Sequence, residues 1–251
     1  MILVVGLAIA GPFVYIHFIA GPPRPRLTLP ESKGTLPPPV ATASTDGTWN
    51  VTTGSRAGYR VQEMLLGQAD TAVGRTSDVS GAAVLAGTVL RSARFSVALA
   101  TVISDQGERN VAFRGRIMDV ARYPTATFVL TSPVVLRRIP PPGKILATKA
   151  RGDLTMHGIR RALTVKISAE RTGTSIYVLA DATVVFAGWH IENPSVGGFV
   201  TTANRGTLEV LLHLVKGAVR PARPSVPAGT VPGGVTLPAT TVPPLSINPK
   251  R

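Results

Sequence analysis

The chain has 251 residues, 27 lysines and arginines against 13 acidic residues, a formal net charge of +14, and no cysteine. Without cysteine there are no disulfides, no thiolate nucleophiles and no cysteine-based zinc or iron–sulfur centres. The positive balance attracts anionic surfaces in general, but the basic residues are dispersed and aromatics make up only 5% of the chain, so stacking platforms are few and nucleic acid is not expected as a partner.

Met1 to Ala20 reads MILVVGLAIAGPFVYIHFIA, with no formal side-chain charge unless His17 is protonated. Its length matches the roughly 30 Å hydrocarbon core of a bilayer, and neither a basic n-region nor an A-x-A-like cleavage site is clear. The expectation is an uncleaved single-pass transmembrane anchor in the cell membrane, with a signal-like segment as the alternative. The domain is then expected on the extracytoplasmic side, although Arg24 and Arg26, which follow the segment, read the other way under the positive-inside rule.

Residues 21–46 are rich in Pro, Ser, Thr and Gly and include Pro37-Pro38-Pro39. They read as an extended linker that cannot bury a core of its own. The C-terminal stretch 217–251 carries proline at 221, 224, 227, 232, 238, 243, 244 and 249 and reads as a disordered spacer.

Between the two, the pattern is that of β-structure. Phe95, Val97, Leu99 and Thr101 alternate with Ser96, Ala98 and Ala100, and further apolar or β-branched runs fall at 82–89, 126–130, 162–169, 175–186 and 207–215. Turn signals separate them, among them Ser80-Gly81, Pro140-Pro141-Pro142-Gly143, His157-Gly158 and Thr172-Gly173. The spacing predicts an all-β sandwich or barrel, with one short helical turn over 113–120. A closed barrel of about eight strands leaves no edge uncovered and has room for side chains or a small ligand.

Several ordered blocks carry a resemblance. They are Gly47-Thr48-Trp49-Asn50-Val51 with Gly58-Tyr59-Arg60-Val61; residues 71–87; Arg109 to Val120 closed by Tyr123-Pro124-Thr125-Ala126-Thr127-Phe128; and Gly152-Asp153-Leu154-Thr155-Met156-His157-Gly158. Over 47–216 the chain resembles the YceI-like family of lipocalin-like proteins that bind polyisoprenoid or similar lipids. The resemblance implies an extended antiparallel barrel with an elongated apolar tunnel for an isoprenoid-like ligand. Two positions depart from the pattern: Arg109-Asn110 stands where Arg-Asp is frequent, and Phe186-Ala187-Gly188-Trp189-His190 replaces the usual strand.

A tunnel needs apolar side chains aimed inward and a few polar groups for the head of its ligand. The lining candidates are Tyr59, Phe95, Val97, Leu99, Phe113, Phe128, Ile176, Val178, Val184 and Phe186, each with an ordinary filled core as the alternative. His157 is a candidate donor to a ligand head, with a backbone-bonded turn residue as the plainer reading. Arg109, Arg114 and Arg116 are headgroup candidates, with surface charge as the alternative. No H-E-x-x-H, G-x-S-x-G or G-x-G-x-x-G run occurs, so no catalytic residue, metal or cofactor is expected. The resulting expectation is non-catalytic binding or carriage of an isoprenoid-like lipid of quinone or polyprenyl type. The alternative is a structural or interaction protein of the cell envelope with a filled barrel. The sequence is compatible with a homodimer without determining one.

Overall fold

The computed structural model describes residues 23–30, 44–65, 67–195 and 200–217. Eleven strands occur in these segments: β1 (Gly47–Val51), β2 (Arg56–Leu65), β3 (Gln68–Thr76), β4 (Val79–Ala86), β5 (Val89–Ala98), β6 (Thr125–Leu130), β7 (Val134–Val135), β8 (Ile145–Met156), β9 (Ile159–Thr172), β10 (Ser175–Val185) and β11 (Val200–Lys216). Every pairing among them is antiparallel.

The strands close into a lipocalin-like barrel of eight. The ring runs β1-β4-β5-β6-β8-β9-β10-β11 and returns to β1. Closure depends on the length of β11. Its C-terminal end pairs with β1 from Leu214 to Lys216, while the rest pairs with β2 from Val200 to Leu211. β1 and β2 are thus two segments of one wall, broken at 52–55. The break is stitched by Ser55, whose hydroxyl oxygen accepts from the His213 amide at 2.9 Å and donates to the Thr52 carbonyl at 2.9 Å.

Alternation sets which face each residue takes. On β8 Ala150, Gly152, Leu154 and Met156 are buried while Lys149, Arg151 and Thr155 are exposed. On β9 Leu163, Val165 and Ile167 turn inward, and Thr164 and Lys166 stay in solvent. Two glycines seat aromatic rings on the inner wall. A Cβ on Gly74 would overlap the ring of Tyr59, its cross-strand partner, and one on Gly152 would overlap Phe128.

The β2–β3 hairpin extends the barrel beyond β4, so the outer edge of β3 has little strand beside it. Arg75 and Ile103 exchange two backbone hydrogen bonds of 2.9 Å there. The crossover from β5 to β6 supplies the rest of the cover: a 3₁₀ turn (Leu99–Thr101), helix α1 (Gly107–Ala112) and a π-helical turn (Phe113–Ile117). The expected helical turn over 113–120 therefore begins six residues earlier. Its start is fixed by a clasp: Ser104 donates through its amide (2.7 Å) and hydroxyl (2.8 Å) to the Asn110 side-chain oxygen. Asn110 supplies the acceptor that an aspartate would supply there.

The floor is a tight apolar plug. Trp49, Leu212 and Leu214 are buried together with Phe95, Ile176 and Val178 packed around them, and the Trp49 indole donates to the Thr45 carbonyl at 2.8 Å.

Part of the linker is docked. Residues 23–30 lie on the outer wall, with Leu27 buried. The Arg60 guanidinium donates to the Arg24 carbonyl (2.6 Å), and Arg75 donates to the Pro25 carbonyl (2.5 Å).

The expected membrane anchor requires correction. No helix among the described residues is long and apolar enough to cross a membrane, and residues 1–20 lie outside those residues. The expectations of a transmembrane helix, of a membrane partner through the N-terminal segment, and of a single-pass location in the cell membrane with an extracytoplasmic domain are therefore withdrawn.

Candidate functional site: an apolar cavity with a charged mouth

Inside the barrel lies a cavity of about 520 Å³. Its walls come from β2, β3, β4, β5, β6, β8, β9, β10 and β11, and its cover from α1 and the π-helical turn. The lower part is wholly apolar, with Phe95, Val97, Val178, Val210 and Leu212 surrounding the space above the Trp49 plug.

Nine of the sequence candidates line this space: Tyr59, Phe95, Val97, Leu99, Phe113, Phe128, Val178, Val184 and Phe186. Tyr59 and Phe113 stack, with ring centroids 5.3 Å apart, and so join the wall to the helical cover. Ile176 faces inward like Val178 but lies below the cavity, packed on the Trp49 cluster.

His157 is also elsewhere. It and Gly158 form a two-residue hairpin between β8 and β9 with φ of +51° and +74°, the geometry of a type I′ turn. Its Nδ1 lies 3.0 Å from the Trp189 carbonyl and its ring meets Tyr123 edge-on. His157 is a turn residue that holds the Phe186–Trp189 3₁₀ turn against the barrel.

The arginine candidates separate. Arg109 and Arg116 line the cavity, whereas Arg114 is exposed and does not. Arg109 is already engaged: its Nη1 donates to Asp105 (2.5 Å) and its Nη2 to Glu63 (2.5 Å), with an Asp70 oxygen 3.9 Å away. Arg116 donates to the Pro194 carbonyl at 3.2 Å.

Sequence reasoning missed the acidic members of this group. Glu63 and Asp70 face one another across the β2–β3 pairing and, with Glu108, line the cavity. Period-two alternation along β2 places Glu63 on the same face as Tyr59 and Val61, which was the available signal. Burial pushes the Glu63 carboxyl above the usual carboxylate range; Arg109 opposes the shift and Asp70 adds to it. The Tyr59 hydroxyl is pushed up to about 12, chiefly by burial. Among the described residues no cluster of histidine and carboxylate side chains is arranged to hold a metal ion.

Chemically, the site offers an apolar sheath and one polar end. It can remove a long hydrocarbon chain from water and make polar contacts at the mouth.

Comparison with known proteins agrees with this architecture. A model of the YceI-like domain matches residues 49–214. Among solved structures, the chain is similar to a polyisoprenoid binding domain from Saccharophagus degradans implicated in plant cell wall breakdown, with 17% identity and a TM-score of 0.56 over 68% of this chain and 98% of that one. BcnA from Burkholderia cenocepacia is similar at 19% identity and a TM-score of 0.48, covering 65% of this chain and 96% of that one. A YceI protein from Campylobacter jejuni is similar at 12% identity and a TM-score of 0.43, covering 56% and 83%. No curated protein matches the chain.

Proposed function

Starting from the chain's membership of the YceI-like family, we propose that the barrel binds and carries an isoprenoid-like lipid, of quinone or polyprenyl type, in its interior. Family membership supports a non-catalytic protein that binds an apolar ligand. The finer assignment to an isoprenoid-like chain rests on the shape and chemistry of the cavity.

The observation that carries it is the apolar space of about 520 Å³ above the Trp49 plug. Its size falls within the range of small-molecule sites, roughly 300–1,000 Å³. Each methylene or equivalent group moved from water into such a sheath contributes ~0.8 kcal/mol. A chain of many such groups is held firmly with few polar contacts, and branched units suit walls built from valine, leucine and phenylalanine. The protein's part is exclusion of water and orientation; no bond is made or broken. The similarity to the S. degradans protein, which is described as polyisoprenoid-binding, is consistent with this reading. A filled barrel with a structural role accounts less well for the open interior.

Native mass spectrometry of the full chain, purified without detergent and followed by organic extraction, tests the proposal. The expected result is a stoichiometric adduct with the mass pattern of a prenyl chain. A ligand-free mass that does not change on incubation with isoprenoid quinones and polyprenols would overturn it.

A further inference from the structure

The charged residues at the cavity mouth are unbalanced in a direction opposite to the protein as a whole. The chain carries +14, yet three carboxylates, Glu63, Asp70 and Asp105, gather about the single guanidinium of Arg109. Of these, Glu63 and Asp70 line the cavity, and Glu108 adds a third acid to the lining. The other lining cation, Arg116, has a backbone carbonyl as its partner. Arg109 itself has both terminal nitrogens occupied, and so has little to offer an incoming anion.

The groups come from every element around the mouth: Tyr59 and Glu63 from β2, Asp70 from β3, Asp105 from the loop before α1, Glu108 and Arg109 from α1, and Arg116 from the π-helical turn. Glu63 and Asp70 are largely shielded from water, with side chains 8% and 13% exposed. Shielded charges are weakly screened and act strongly on whatever approaches them. An anionic head placed here meets carboxylates that outnumber the cations around them. A cationic head supplies the charge that one arginine cannot. The upward shift of the Glu63 carboxyl has the same origin, namely burial with Asp70 alongside.

We propose that the mouth selects the ligand's head by charge: a long-chain ligand with a protonated amine head is preferred over the same chain ending in a phosphate, and an uncharged alcohol falls between them. The inference rests on the carrier reading, since the site is the apolar cavity and the carboxylates decide only what may sit at its end.

The experiment titrates the full chain at neutral pH with three probes of equal chain length, geranylgeranylamine, geranylgeraniol and geranylgeranyl phosphate. The expected order of affinity is amine, alcohol, phosphate, with a difference of about tenfold or more between the extremes, the effect of roughly one favourable charge contact. In Glu63→Gln, and more so in Glu63→Gln with Asp70→Asn, the amine-to-phosphate ratio is expected to fall several-fold, a readout that a uniform change in affinity for all three probes does not move. Phosphate binding as tightly as the amine, or a ratio that the substitutions leave untouched, would overturn the charge selection and leave the carrier reading standing. Failure of all three probes to bind would overturn the carrier reading itself. The wild-type comparison needs no variant, so the test survives any loss of folding in the substituted chains.

Discussion

The same stretch of barrel wall carries two buried clusters of arginine and carboxylate, one on each face, with opposite proportions. On the outside, one carboxylate, Glu209, is surrounded by three arginines: Arg60 at 3.1 Å, Arg75 at 2.9 Å and Arg26 at 3.2 Å. On the inside, one arginine is surrounded by three carboxylates. The outer cluster is almost saturated: among its buried side-chain atoms the Arg75 Nε lacks a hydrogen-bond partner. Its carboxylate is 2% exposed, and linker carbonyls cap the surplus arginine donors. The inner cluster lacks cations and borders an open cavity. Buried charge that is almost fully partnered serves the fold, whereas an excess of one sign of buried charge beside a cavity is available to a ligand.

The largest effect that can break this comparison comes from Glu209. Replacing it with alanine leaves Arg60 and Arg75 buried without their shared partner, at an expected cost of about 3–5 kcal/mol. Denaturant unfolding measures this; a loss below about 1 kcal/mol would show that the outer cluster is not structural.

Glu63 should behave differently. Glu63→Gln is expected to change stability by no more than about 1 kcal/mol, because Arg109 keeps Asp105. The pH dependence sharpens the contrast. Because the folded-state value of Glu63 is raised, the wild-type protein is expected to lose stability as pH rises from the ordinary carboxylate value of 4.5 through the shifted one. Glu63→Gln removes that loss. Thermal unfolding across this window checks it, and equal slopes in both proteins would contradict it.

The smallest effect belongs to Arg26, which is 63% exposed. Arg26→Ala is expected to cost about 0.5 kcal/mol or less. A larger loss, read in the same unfolding assay, would mean that the docked linker contributes to the wall as much as the strands do.

How much was legible follows from the range of each signal. The barrel was legible because period two is a local property, visible in Phe95-Ser96-Val97 and along β9. Of the nine candidates that line the cavity, Tyr59, Phe95, Val97, Phe128, Val178 and Val184 lie on strands and follow the same alternation, whereas Leu99, Phe113 and Phe186 lie in helical turns that period two does not describe. Ile176 shows the limit: alternation gave its face, but not its depth, which depends on where Trp49 ends the cavity. His157 takes the plainer of its two sequence readings, a backbone-bonded turn residue, with φ of +51° and its Nδ1 against the Trp189 carbonyl. The two clusters were invisible for a topological reason. Glu209 meets Arg60 across 149 positions and Arg109 meets Glu63 across 46, and neither distance leaves a trace in local pattern. The docked linker was missed because its attachment comes from hydrogen bonding and charge rather than from an apolar run.

β11 has a consequence for the order of events during synthesis. It pairs with β10, with β1 and with β2, and among the described strands it is the last made. Until it emerges from the ribosome, β10 and the β1–β2 wall remain two bare edges open to mispairing with other chains. The sheet cannot become a vessel until nearly all of it exists. A nascent chain stalled before residue 200 is therefore an open, exposed sheet, and its interior becomes available to a lipid only once translation has passed that point.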